Sequence, residues 1–222
     1  MKRPVDIAVS TDPISDYQGI IDYAKQMQGV ADFLHCDIMS ENFVAKNTYD
    51  YNLVKNINSS SLIMLDVHLM VDEPSEQIEK YLDAGANILT IHYEAFEDKE
   101  VLVSVLEFIK DRGGLAGISL KPSTPFKEIR SYVFNCDVVL VMGVEPGASG
   151  QPILEETYEK VKEIAKFRQD NNLRFKIEFD GGVNDQTAKK LIDAGVDILV
   201  SGSYVYNSED RNKAVEMLKN AE

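Results

Sequence analysis

The stretch DAGANILTIH (83–92) returns as DAGVDILVSG (193–202), two copies of one helix-end, turn and strand unit. In each copy Asp-Ala closes an amphipathic run, a glycine (Gly85, Gly195) stops it, and an aliphatic strand follows at once. The same alternation extends in both directions. Compact β-branched runs predict strands at 5–9, 32–37, 62–67, 87–91, 115–119, 137–141, 174–179 and 197–201. Amphipathic runs predict helices near 15–28, 48–57, 74–83, 97–111, 125–133, 152–169, 184–193 and 209–220. Most strands are apolar throughout, as parallel strands covered by helices are. Pro74 and Pro125 suit first helical turns, with Thr124 as a cap for the latter; Asn184 suits the cap of the run holding Ala188, Leu191 and Ile192.

Eight strand–helix pairs in 222 residues predict an α/β (β/α)8 TIM barrel, one domain over 1–222. The alternative is an open doubly wound sheet, but no G-x-G-x-x-G run follows the first strand and no linker interrupts the chain. The 37 acidic against 23 basic residues leave a net charge of −14, which argues against nucleic-acid and anionic-membrane partners. Cys36 and Cys136 are too few for a thiolate metal centre and read as reduced thiols. The N-terminal run breaks at Asp6 and Asp12 before any long apolar segment, so a cytoplasmic protein is expected.

In a barrel, chemistry sits where strands end. His35 and Asp37 flank Cys36 and share one strand face, leaving Cys36 to the helix layer if they point inward. Asp66-Val67-His68 reverses that pattern on the third strand; His92 follows the fourth, and Glu178-Phe179-Asp180 the seventh. Histidines and carboxylates converging at one mouth fit a divalent metal such as Zn, Fe, Mn or Co better than Mg or Ca. Each histidine also fits as a pocket residue bonded to an aspartate, and Asp66 reads as a supporting carboxylate that orients its strand neighbour His68. Glycine-rich turns at 144–151, Gly181-Gly182 and Gly202-Ser203 fit either tight barrel turns or a phosphate cradle of backbone amides. Met39, Met70 and Met142 fall at strand ends, as core filler or as an apolar wall over a small polar substrate.

From Ser10 to Ser203 these motifs, in this order, resemble the ribulose-phosphate 3-epimerase family of phosphosugar barrels. The runs that carry the resemblance are HCDIM (35–39), NFV (42–44), DVHLM (66–70), Met142 to Gln151, Asp180-Gly181-Gly182 and Gly202-Ser203. The resemblance implies a ribulose-phosphate-binding barrel with one divalent ion per subunit, zinc foremost among Zn, Fe, Mn and Co, held by His35, Asp37, His68 and Asp180. It implies that Asp37 and Asp180 form the acid–base pair interconverting D-ribulose 5-phosphate and D-xylulose 5-phosphate. It places Ser10, Met39, His68, Met70, Met142, Gly147, Ala148, Ser149, Gly150, Gly181, Gly182, Gly202 and Ser203 around the substrate. It also implies a homo-oligomer and membership of the pentose phosphate pathway. Ser40-Glu41 stands where the family has Asp-Gly, Ala45 where it has Pro, and Ala148 where it has an aromatic residue. These departures keep a ketohexose 6-phosphate such as allulose 6-phosphate open as substrate. A decarboxylase or aldolase-like barrel lacks its strand-end lysine here; a binding-only barrel is disfavoured by the retained aspartates.

Overall fold

The computed structural model describes residues 5–148 and 150–221, which close into a parallel barrel in sequential strand order. The strands are β1 Asp6–Ser10, β2 Phe33–Met39, β3 Met64–Met70, β4 Ile88–His92, β5 Leu115–Leu120, β6 Val138–Met142, β7 Lys176–Asp180 and β8 Ile198–Ser201. The helices are α1 Tyr17–Met27, α2 Tyr51–Ser60, α3 Ile78–Ala84, α4 Lys99–Asp111, α5 Glu156–Asp170, α6 Ala188–Ala194, α7 Ser203–Tyr206 and α8 Arg211–Lys219.

Alternation along each strand sorts the side chains. Outward residues such as Leu34, Cys36, Leu65, Val67, Ile177 and Phe179 merge with the inner helix faces into the main core. Inward residues Ala8, Phe33, Ile88, Val138, Ile198 and Val200 plug the barrel below the site. Above that plug the interior turns polar: His35, Asp66, His68, Thr90, His92, Ser119 and Glu178 are all fully buried.

A four-fold device fixes the strand register at the entrance end. Asp32, Asn87, Asp137 and Asp197 stand just before the even strands. Their side-chain oxygens accept the N–H of Ile7, Leu65, Ala116 and Ile177 on the preceding odd strands, at 2.8, 2.7, 3.0 and 2.8 Å. Their own N–H groups donate to the carbonyls of the same four residues, at 2.9, 2.8, 2.8 and 2.7 Å. Each acidic or amide residue thereby continues the ladder past its last backbone pair, where an unpaired buried N–H would cost about 1–3 kcal/mol.

Helix starts follow their caps: Asp16, Asp50 and Asp98 accept amide bonds at the heads of α1, α2 and α4, two or three residues inside the expected starts. Asn184 does cap a turn, accepting from Gln186 and Thr187, but α6 begins beyond it. The expected helix over 74–83 is a 3₁₀ turn, Pro74–Glu76, followed by α3. The expected helix over 125–133 is not α-helical: it forms 3₁₀ turns at Phe126–Glu128 and Val133–Asn135. Pro125 is extended and uncapped there, because the Thr124 hydroxyl donates to Glu94 instead. Aromatic and β-branched residues make up half of 126–133, which weakens its helix propensity, and the short turns still bury Phe126, Ile129 and Val133.

Candidate active site

Strand register sets the site. Ser10 lies beside His35, His35 beside Asp66, Asp37 beside His68, His68 beside Thr90, and Met142 beside Asp180. One ligand atom each of His35, Asp37, His68 and Asp180 lies within 4.8 Å of the others. Asp37 Oδ1 is 3.5 Å from His35 Nε2 and 3.9 Å from His68 Nδ1. Both of those ring nitrogens are buried without a hydrogen-bond partner, which is costly unless something is bound between them. Two orphaned imidazole nitrogens with two carboxylates fit a divalent first-row ion.

Supports hold these groups from outside. Ser10 Oγ donates to Asp37 Oδ2 at 2.6 Å, and the Asp37 N–H and C=O are held by Thr11 (3.2 Å) and Thr48 (2.8 Å). His35 Nδ1 bonds Asp66, with Glu178 Oε1 at 3.6 Å. This corrects one expectation: Asp66 supports His35 across the strand pair, not His68 two residues along, whose side chain takes His92 instead. His68 Nε2 lies 2.8 Å from His92 Nε2, with 19° between the ring planes, and His92 Nδ1 is 3.1 Å from Glu94. Glu94 is anchored by the Lys121 N–H at 2.8 Å and by Thr124.

The electrostatics follow. In the metal-free site burial pulls His35 down, but Asp66, by its charge and hydrogen bond, and the nearby Asp37 charge outweigh it and hold its pKa well above the ordinary histidine value. Burial, then His92 and His35, push His68 well below it. Burial lowers His92 too, against the pull of Glu94. Burial alone would raise Glu94, but bonds from His92, Thr124 and Lys121 bring it down to about 2. Burial first, and the Asp37 charge second, raise Asp180 to about 7. Burial and Asp66 push Glu178 far up.

Above the cluster opens a cavity of about 670 Å³. Ser10, Asp37, Met39, Met70, Met142 and Asp180 line its floor, and Gly147, Ala148, Gly150, Gly181, Gly182, Gly202 and Ser203 line its flank. His35 and His68 lie beneath that surface, and Ser149 falls outside the described residues. Gly181 and Gly182 have φ of +111° and +72°, so their amides turn in a way side-chain-bearing residues rarely allow. A Cβ on Gly182 would meet Ile153 at 2.6 Å, so this turn is packed as well as twisted. Phe43 rests on Met39, Val44 and Met70, 4.9 Å from the His92 ring, whereas Tyr49 and Tyr51 pack edge-on against Tyr17 and Tyr81. The divergent loop is tied down: Ser40 and Asn42 donate to Asp72, and Lys46 pairs with the cavity-lining Asp12.

Sequence reasoning passed over Asp12, Tyr158, Asn184, Thr187, Tyr204 and Asn207 in the cavity wall. Their one signal was position just past a strand end or next to a helix end. Among the described residues no helix is long and apolar enough to cross a membrane.

A closed parallel barrel with a His–carboxylate cluster at its C-terminal mouth and glycine turns beside it defines a (β/α)8 barrel with a candidate metal site. The ribulose-phosphate 3 epimerase family model matches residues 9–206, and the chain belongs to that family. The ribulose-phosphate 3-epimerase of Mycobacterium bovis is 37% identical over 205 residues, covering 92% of this chain and 88% of its own. That of Bacillus subtilis is 36% identical over 207 residues, covering 92% and 94%. The structure of 3-keto-L-gulonate-6-phosphate decarboxylase from Vibrio cholerae superposes with a TM-score of 0.73 at 10% identity, covering 98% of this chain and 97% of that one. It shares the fold alone.

Proposed function

We propose that the chain is a metal-dependent 3-epimerase interconverting D-ribulose 5-phosphate and D-xylulose 5-phosphate. The observation that carries this is the pair Asp37 on β2 and Asp180 on β7, bracketing the bare nitrogens of His35 and His68 within 4.8 Å. Inverting one carbon next to a ketone takes a group to remove the C3 proton on one face and another to return a proton on the opposite face. Two carboxylates from separate strands of one barrel mouth meet that need.

Their settings differ usefully. Burial and the Asp37 charge raise Asp180 to about 7 in the metal-free site; a bound ion would hold it as a carboxylate, ready to take a proton from the sugar. Asp37 accepts the Ser10 hydroxyl on Oδ2 and leaves Oδ1 toward the histidines. In the reverse reaction the two exchange roles. A divalent ion held by His35, Asp37, His68 and Asp180, of the Zn, Fe, Mn or Co class, would supply Lewis-acid stabilisation of the charge that develops on the enediolate. Met39, Met70 and Met142 exclude water above the reacting carbon. The amides of Gly181-Gly182 and Gly202-Ser203 hold the phosphate and so fix the sugar's position.

The test is solvent-deuterium incorporation at C3, followed by NMR on metal-loaded protein. Labelled xylulose 5-phosphate from ribulose 5-phosphate is expected, slowed at least about 100-fold in Asp37→Asn and in Asp180→Asn. Label entering allulose 6-phosphate alone would move the substrate to a ketohexose phosphate, in keeping with the small Ala148 on the cavity flank. Label in neither would overturn the epimerase reading.

A further inference from the structure

The two histidines of the cluster present opposite nitrogens to it. His35 is held at Nδ1 by Asp66 and turns Nε2 inward; His68 is held at Nε2 by His92 and turns Nδ1 inward. The Asp66 carboxylate takes the hydrogen of His35 Nδ1, so the His35 end needs no further group to orient it. The partner of His68 is another imidazole, which can donate or accept at the contacting nitrogen. Something further out must decide.

The deciding group is the Lys121 amide. A backbone N–H only donates, and it points at Glu94 Oε1 at 2.8 Å, with the Thr124 hydroxyl on the same oxygen. Glu94 therefore stands as an acceptor, and Oε2 faces His92 Nδ1 at 3.1 Å. His92 carries its hydrogen on Nδ1, leaving Nε2 bare. His68 Nε2, 2.8 Å away, must then donate, and His68 Nδ1 keeps its lone pair for the cluster. The chain also runs backward: a metal on His68 Nδ1 requires N–H at Nε2, an acceptor at His92, and a sink for the His92 Nδ1 hydrogen, which Glu94 supplies.

We infer that His92 and Glu94 are positioning residues of the metal centre, which fix the His68 tautomer so that Nδ1 is a ligand and not a competing donor to Asp37. The inference rests on the reading of His68 as a ligand. Outer carboxylate–histidine partners of this kind are worth about 10–100-fold in metal affinity.

Glu94→Gln separates this role from simple packing, because it preserves volume and reverses polarity. Its carboxamide must turn oxygen to the Lys121 N–H, leaving the NH₂ to face His92 Nδ1. His92 must then carry its hydrogen on Nε2, and His68 shifts its hydrogen to Nδ1. His92→Gln is the conservative control, since its oxygen can accept from His68 Nε2 while its NH₂ donates to Glu94. His92→Phe can do neither.

Long-range ¹H–¹⁵N spectra of histidine-labelled, metal-free protein read the tautomers, and titration with Zn²⁺ or Mn²⁺ alone reads affinity. Expected are an Nε2–H His68 in the parent and in His92→Gln, and an Nδ1–H His68 in Glu94→Gln. Affinity should fall about 10–100-fold in Glu94→Gln and His92→Phe, and recover in His92→Gln. A parent with His68 already protonated at Nδ1, or a Glu94→Gln protein with unchanged tautomer and affinity, overturns the inference. A parent that binds neither metal, with the expected tautomers, would instead overturn the metal-ligand reading on which it rests.

Discussion

Replacing Gly117 by Ala tests whether the polar interior beneath the site is as tightly registered as it looks. Gly117 on β5 is paired with Thr90 on β4, and Thr90 with His68 on β3. A Cβ at 117 would lie 2.1 Å from Thr90 Oγ1, 2.9 Å from its Cβ and 3.0 Å from its Cα. Thr90 is fully buried, and the last of the three atoms belongs to the main chain, which cannot swing aside as a side-chain tip can. Overpacking of this kind costs about 1–3 kcal/mol. At about 2–4 °C per kcal/mol for a chain of this size, Tm should fall roughly 2–12 °C. The Thr90 hydroxyl has no hydrogen-bond partner, so removing it breaks no bond. In a Thr90→Ala background the Gly117→Ala cost should shrink, though not vanish, because the new methyl still meets the β-carbon and main chain at position 90. In a Thr90→Val background, which keeps the branch, it should not shrink. Thermal unfolding of the metal-free proteins by circular dichroism measures all of these. An unchanged Tm for Gly117→Ala, or equal losses in the alanine and valine backgrounds, would refute the steric argument.

Zinc or manganese at about 100 times its dissociation constant should stabilise the protein by about 2.7 kcal/mol, raising Tm about 5–10 °C, and a chelator should reverse the gain; saturation without a Tm change would sever the ion from the folded site. Asp137→Ala deprives the Ala116 N–H of its acceptor and should cost about 1–3 kcal/mol in urea unfolding, whereas Asp137→Asn, which keeps an oxygen there, should lose less than half as much. Equal losses in the two would mean that charge, not the accepted bond, is what Asp137 contributes.

The barrel was legible because its signals are local: most strands are compact apolar runs, and each copy of the Asp-Ala-Gly unit closes a helix with a glycine that does adopt positive φ, at +109° and +119°. His35, Asp37, His68 and Asp180 stood out for the same reason, as polar residues where strands end, but so did Asp66, His92 and Glu178, and only the family resemblance set the four apart. What partners them was not legible. That Asp66 meets His35 depends on the stagger of β2 against β3, and that His92 meets His68 depends on β3 against β4; neither offset leaves a mark on either strand alone. What Glu94 and Lys160 hold was hidden by the same logic. Lys160 sits on α5 but buries its ammonium on the carbonyls of Lys121 and Pro122, bracing the loop whose amide orients Glu94. The failed helix at 125–133 shows a long-range bond overriding a local one, Thr124 being drawn away by a glutamate 30 residues earlier.

The four Asp and Asn residues at the entrance end pin each odd strand to the even strand that follows it, so the barrel is assembled from four stapled strand pairs. The proposed chemistry does not respect those units. His35 and Asp37 come from the first pair, His68 and its support His92 from the second, and Asp180 from the fourth. A half-barrel ending after β4 would therefore own both histidines and one carboxylate, enough to attract an ion but not to put a proton on each face of a carbon. In modular terms, three of the four proposed ligands belong to one half of the molecule, while the fourth, and with it stereochemical inversion, depends on the closure of both.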